Sequence, residues 1–333
     1  MGLFGAHVSI AGGVDRAPER GRRATCDAIQ LFTKSNVQWA GATIGEAQRR
    51  RFRENLERYR IQSAFAHACY LISLCSPRAA IRRHSPLALA DELVRCALLG
   101  LPYLVLHPGS HGGTGEREAE NWIVEGVTLA AEKARAASSA GIPTLLLETT
   151  AGQGTSVGWR FEQLAGLLAR IEKVLPVGVC FDTCHVFAAG YDLRTSDAYE
   201  RTMQEFDRLI GCRRIGVFHL NDSRGDLGSR LDRHEHIGRG RIGLEGFRAL
   251  VNDPRFFVRP MVIETPKGKT PRLDVLNLRR LRSLVLSTVN PSNQGHHSRS
   301  GSNLAQRGHL CGHRRRDVTV EDRQGLASEA VPG

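Results

Sequence analysis

Short apolar, β-branched runs alternate with longer stretches of helix-forming residues along most of the chain, which is the rhythm of βα units repeated around a parallel sheet. The runs predict strands at 3–8, 28–32, 62–66, 103–106, 144–147, 178–181, 215–218 and 261–263. Between them, the patterning predicts helices that include 46–59, 86–99, 118–140, 160–174, 198–210 and 244–252. Eight strands with intervening helices imply an α/β chain closed into a (β/α)8 TIM barrel over residues 1–285. From residue 286 to 333 the periodicity stops and Ser, Gly, Asn, Gln and Arg dominate, so this stretch reads as a disordered C-terminal tail. Its His296, His297, His309, Cys311 and His313 lack the paired spacing of a closed zinc site.

Composition sharpens this picture in three respects. The 333 residues carry a formal charge of +12, of which about +2 falls in the tail and about +10 in the barrel. A basic barrel favours a polyanionic partner, because Lys and Arg that neutralise phosphates release condensed counterions. The eight cysteines are scattered without a CxxC pair, which fits reduced thiols in a cytosol better than a disulfide framework. The N-terminus lacks the basic and apolar regions of a secretory leader, and no apolar run is long enough to span a bilayer.

The chemistry gathers at the strand ends. His67 follows the third predicted strand, His107 the fourth, Glu148 the fifth, Asp182 the sixth, His219 the seventh and Glu264 the eighth. In a barrel these ends converge on one rim, where active sites of this architecture lie. His185, three residues after Asp182, and the pair Asp232 and His234 complete a set of nine. Any one of them alone reads as a satisfied core or surface residue. Nine polar groups in one barrel mouth would be costly to bury unless metals or hydrogen bonds satisfied them. Imidazoles and carboxylates suit a catalytic zinc, with manganese and iron as competitors, and nine ligands exceed what one ion takes. Cys69, Cys180 and Cys184 lie close by in sequence, but buried free cysteine is commonly a small hydrophobe and stays outside the set.

The strings GAHVSIAGG (5–13), HPGSH (107–111), LETTAGQGTSVG (147–158), VCFDTCHVFAAGYD (179–192), HLNDSRGDLGSRLDRHEHIGRG (219–240) and IETPKG (263–268) resemble the signatures of the endonuclease IV family, AP endonucleases built on xylose isomerase-like TIM barrels. The resemblance covers residues 2 to 285 and leaves the tail without a counterpart. It implies three zinc ions per chain, with manganese or iron as substitutes. His67, His107 and Glu148 would hold one ion, and Glu148, Asp182, His219 and Glu264 a second, bridged through Glu148. His185, Asp232 and His234 would hold the third. The implied activity is hydrolysis of the phosphodiester 5′ to an abasic site in double-stranded DNA, leaving a 3′-hydroxyl, together with removal of 3′-blocking groups. Glu264 and Glu148 are the implied catalytic carboxylates, and a cytoplasmic monomer with no membrane partner is expected.

For DNA, the resemblance implies that Tyr70 and Leu71 form a wedge into the duplex, a role for which packing on the rim is the plainer alternative. Val37 stands where family members often carry an arginine, so the wedge is expected to be weaker or differently completed by Gln38 and Trp39. Cys69 stands where a proline or serine is common, which would loosen that loop. Two rival readings share the barrel: a metal-dependent sugar isomerase or epimerase, and an abasic-DNA-binding protein that does not cut. The third ligand group argues against the isomerase, and the complete set of nine against the binder.

Overall fold

The computed structural model describes residues 2–138 and 141–286. The predicted tail therefore lies, but for Leu286, outside the described residues. Strands β1 Leu3–His7, β2 Ala28–Phe32, β3 Ser63–His67, β4 Tyr103–Leu106, β5 Thr144–Glu148, β6 Val177–Asp182 and β7 Ile215–His219 are followed by a two-residue pair, β8 Asp222–Ser223 and β9 His234–Glu235, and by β10 Pro260–Ile263. The helices are α1 Ala17–Arg23, α2 Glu46–Arg58, α3 Ala79–Leu99, α4 Glu116–Ala137, α5 Phe161–Ile171, α6 Thr183–Ala189, α7 Ser196–Leu209, α8 Gly243–Val251 and α9 Arg272–Leu284. The eight longer strands pair in parallel and close in the order β1-β10-β7-β6-β5-β4-β3-β2, as the alternation predicts, while β8 and β9 form a separate antiparallel ribbon.

Two apolar layers hold the barrel. Outside the strands, helices lay down apolar stripes at helical spacing, such as Phe161, Leu164, Leu167, Leu168 and Ile171 on α5. Inside, Ala28, Phe65, Val105, Leu146, Cys180, Val217 and Val262 pack on one another, one from each of seven strands. The interior is thus a filled core on which a site can be built rather than a pore.

Strand periodicity decides what comes next. Side chains two positions apart point to the same face. Two residues beyond those seven interior positions stand Gln30, His67, His107, Glu148, Asp182, His219 and Glu264. The rim of the barrel is therefore a polar layer resting on an apolar one.

Several boundaries differ from the sequence pattern. His67, Glu148, Asp182 and His219 are the last residues of their strands, whereas His107 and Glu264 follow theirs by one. Helix α3 starts at Ala79, seven residues before the predicted start at Pro86, because the proline sits inside the helix. Ser85 Oγ donates to the Ile81 carbonyl at 2.8 Å in the turn that the proline interrupts. The predicted helix end at 140 lies outside the described residues, and α4 ends at Ala137.

Candidate metal centre at the barrel mouth

The nine strand-end and loop residues meet in one place. His67, His107 and Glu148 form one group of converging ligand atoms, Glu148, Asp182, His219 and Glu264 a second, and His185, Asp232 and His234 a third, each group within 4.8 Å across. Glu148 belongs to the first two. Its Oε2 lies 3.2 Å from His67 Nε2 and 3.0 Å from His107 Nε2, while its Oε1 lies 2.9 Å from His219 Nδ1. Asp232 Oδ1 is 3.1 Å from His185 Nε2 and 3.6 Å from His234 Nε2.

Local structure fixes each side chain. Asp182 ends β6 and caps α6, accepting from the His185 amide at 2.9 Å, which places His185 one turn into the helix and over the same mouth. Gly190 ends α6 at φ 115, a conformation costly for any residue with a Cβ, so the helix stops after seven residues. The loop after β7 carries Asp232 and His234 back across the rim. Its Asp232 amide donates to Gln153 Oε1 at 2.9 Å, and the Arg230 guanidinium stacks 4.1 Å over Trp159.

Hydrogen bonds outside the cluster choose the tautomer of four histidines. His67 Nδ1 faces the Ala68 carbonyl at 2.7 Å, His185 Nδ1 the Thr149 carbonyl at 2.9 Å and His234 Nδ1 the Glu264 carbonyl at 3.3 Å. A carbonyl oxygen only accepts, so each of these Nδ1 atoms carries the proton and Nε2 turns its lone pair inward. Gln30 settles His219 by the same logic. Its Nε2 donates to Glu264 Oε1 at 2.6 Å, so its Oε1 faces His219 Nε2 at 2.8 Å, and Nδ1 keeps the inward lone pair. In the third group, His185 Nε2 and His234 Nε2 face each other at 3.4 Å. Two lone pairs and a carboxylate at that spacing require a proton or a metal cation between them.

The electrostatics agree with that requirement. Burial would raise the Glu148 carboxyl, but His107 and His219 outweigh it and hold it well below the usual carboxylate range. Burial acts on Glu264 in the same sense, and His219 and His7 reverse it. Burial lowers all three of His185, His219 and His107, yet Asp182 and Asp232 bring His185, and Cys180 followed by Glu264 and Glu148 bring His219, well above the ordinary imidazole value, while Glu148 raises His107. Asp232 is brought down to about 2, its burial outweighed by His185 and His234. Cys180 and Cys184 also reach ligand groups, but burial pushes both thiols up to about 12, which keeps them protonated and apolar. The seven cysteines among the described residues are all free and buried.

Two clefts open at the mouth. A cleft of about 230 Å³ is bordered by His67, Tyr70, His107 and Ser110, and a groove of about 620 Å³ beside it by His7, Arg20, Arg23, Lys267 and Lys269. Tyr70 is 60% exposed and stands over the cluster, its ring 5.6 Å from that of His67. Leu71 is half-buried against the core. Gln38 and Trp39 lie in the loop after β2, where Val37 is 71% exposed. Trp39 packs on His84 of α3 at 5.8 Å.

Three site residues are absent from the strand-end pattern read in the sequence. His7 ends β1 with its Nδ1 3.4 Å from Glu264 Oε1, and Gln30 is the lone polar residue of β2, wholly buried. The signal for Gln30 was present as an amide inside an otherwise apolar strand. Asn221 is a third, linking Asp182 Oδ2 at 2.7 Å to the Glu264 amide at 2.8 Å.

Residues 18–284 match the family model described as xylose isomerase-like TIM barrel. A probable endonuclease 4 of Chloroflexus aggregans is 49% identical over 289 residues, covering 87% of this chain and all of the relative. Another from Geobacter sulfurreducens is 49% identical over 282 residues, covering 85% of this chain and 94% of the relative. The crystal structure of endonuclease IV from Thermus thermophilus superposes with a TM-score of 0.74 at 39% identity, covering 85% of this chain and 98% of that one. Identity at that level, carried from one end of the relatives to the other, goes beyond a common barrel, and the chain belongs to the endonuclease IV family.

Proposed function

We propose that the protein is a metal-dependent DNA-repair endonuclease that hydrolyses the phosphodiester 5′ to an abasic site, leaves a 3′-hydroxyl and also removes 3′-blocking groups. The observation that carries the metal dependence is the inward lone pairs of four histidines, each fixed by an outside oxygen acceptor and converging on carboxylates. Such nitrogen and oxygen donors fit zinc, and also manganese or iron. His67, His107 and Glu148 would hold one ion, Glu148, Asp182, His219 and Glu264 a second, and His185, Asp232 and His234 a third. Bound there, divalent ions would make water acidic enough to attack at neutral pH and would offset phosphate charge.

The chain's own groups supply the rest. Glu264 is the member of the second group that solvent reaches, and its carboxylate stays ionised. It is therefore placed to take a proton from an attacking water, with Gln30 orienting Oε1 and His219 Nδ1 3.3 Å from Oε2. Glu148 is wholly buried and ties the first two groups together. His107 and Asp232, 34% and 43% exposed, border the opening through which a phosphodiester would enter. Arg20, Arg23, Lys267 and Lys269 line the adjoining groove, where flanking phosphates would lie.

The abasic substrate follows from the exposed Tyr70 above the cluster. Separating a base stack costs a few kcal/mol, and less where a base is already missing, so a rigid ring with Leu71 at its base selects damage without reading sequence. Gln38, Trp39 and Val37 would meet the DNA on the neighbouring loop. A sugar isomerase needs one or two metals and gives the third group no task. We place the activity in the barrel, residues 1–285, acting as a cytoplasmic monomer. Elemental analysis of the purified protein, full-length and ended after residue 286, should return about three metal ions per chain in both. One or two ions at full occupancy would contradict the assignment of the nine ligands, and loss of metal on truncation would contradict the barrel boundary.

A further inference from the structure

The two loops that border the metal cluster with exposed apolar side chains are fastened to a single turn of α3. From Glu92, which is buried, one carboxylate oxygen accepts from Thr33 Oγ1 at 2.5 Å, in the loop after β2. The other accepts from the Cys69 amide at 3.3 Å, in the loop after β3 and next to Tyr70. Lys34, also buried, pairs with Asp91 at 2.7 Å and reaches Glu92 at 3.4 Å. One turn on, the Arg95 guanidinium donates to the Thr33 carbonyl at 2.7 Å and to the Ala42 carbonyl at 2.9 Å, so it grips the β2 loop at both ends. The close fit extends to Gly41, where a Cβ would come within 3.2 Å of that guanidinium.

Buried ion pairs stabilise a fold no better than well-packed apolar side chains of equal volume, whereas they hold groups in a defined geometry. Here the geometry held is the separation between Tyr70 on one loop and Val37, Gln38 and Trp39 on the other. We propose that Glu92 and Arg95 are positioning residues that set this separation, and through it the discrimination between abasic and intact duplex. The inference rests on the functional reading above. It adds that selectivity for damage resides partly in a buried polar clamp that touches neither metal ligands nor DNA.

The test compares wild type with Thr33→Val, which deletes the hydroxyl bound to Glu92 and Arg95 at nearly constant volume, and with Glu92→Gln. Two substrates are used: an abasic duplex, and bis(p-nitrophenyl) phosphate, a small diester that needs no loop. For each variant, kcat/KM on the abasic duplex should fall about ten-fold or more, chiefly through KM, while small-diester hydrolysis and metal content stay within about two-fold. If duplex and small-diester rates fall together, or neither falls, the clamp is structural only and the inference is overturned. Should Glu92→Gln fail to fold, Thr33→Val gives the same reading alone. Wild-type protein that does not cut the abasic duplex would overturn the functional reading, and this inference with it.

Discussion

In the proposed reaction, Glu264 concentrates the chemistry of the site in one side chain. It accepts from Gln30 at 2.6 Å and lies 3.3 Å from His219, yet it is the carboxylate of its group that faces the cleft. Glu264→Gln keeps the volume and the backbone bond to Asn221 while removing the charge and the basic oxygen. It should leave the melting temperature nearly unchanged and lower kcat by on the order of 10²–10⁴-fold. Wild-type turnover in that variant would remove Glu264 from the reaction. The histidines make a second prediction, about the metal-free protein. His107, His185 and His219 have folded values above their unfolded ones, so the folded state binds more protons. Their stabilising contribution is complete below the ordinary imidazole value and is lost as pH rises through the raised folded values. Above that window four carboxylates face one another without a counter-charge. The melting temperature of the metal-stripped protein should therefore fall as pH rises from about 6 to 9, with that of the metal-loaded protein nearly flat. A metal-stripped protein that gains stability across this range would contradict the assigned protonation.

At the scale of elements, the site is a product of strand parity and two loops. The six candidate ligands on β3 to β7 and after β10 were legible because each stands at the end of a short apolar run, and the barrel turns such ends toward one rim. His7 and Gln30 escaped because a histidine within a predicted strand and an amide in an apolar one look like ordinary interior residues until the partner strands are known. Asp182 and His185 were legible as a pair, but that Asp182 also caps α6 emerges only from the hydrogen bond. The hydrogen bonds from α3 to the two loops were not legible, because nothing local in the sequence announces them and the α3 residues lie far along the chain from Thr33. Tyr70 rises above the cluster without belonging to it. Tyr70→Ala should therefore keep full metal content and small-diester hydrolysis but reduce the preference for abasic over intact duplex by about 5- to 100-fold. Equal preference in variant and wild type would reduce Tyr70 to a rim residue.

For the whole molecule, charge and closure act together. The barrel concentrates nine candidate ligands from widely separated stretches of sequence at one rim, four of them carboxylates, and Arg20, Arg23, Lys267 and Lys269 line a groove there. Metals would reverse the sign of that cluster, so that the entire mouth attracts a polyanion. The fold was legible in the sequence because the βα alternation is strong and the strands are short. The stretch after residue 286 carried no such pattern and lies outside the described residues. No described helix is long and apolar enough to cross a membrane. The most direct test of the account is incision of an end-labelled duplex bearing a single abasic site, alongside the same duplex without the lesion. The account predicts one cut, on the 5′ side of the abasic residue, leaving a 3′-hydroxyl that a polymerase extends, abolished by chelation and restored by zinc. Metal-loaded protein that leaves the abasic strand whole, or cuts both duplexes alike, would contradict it.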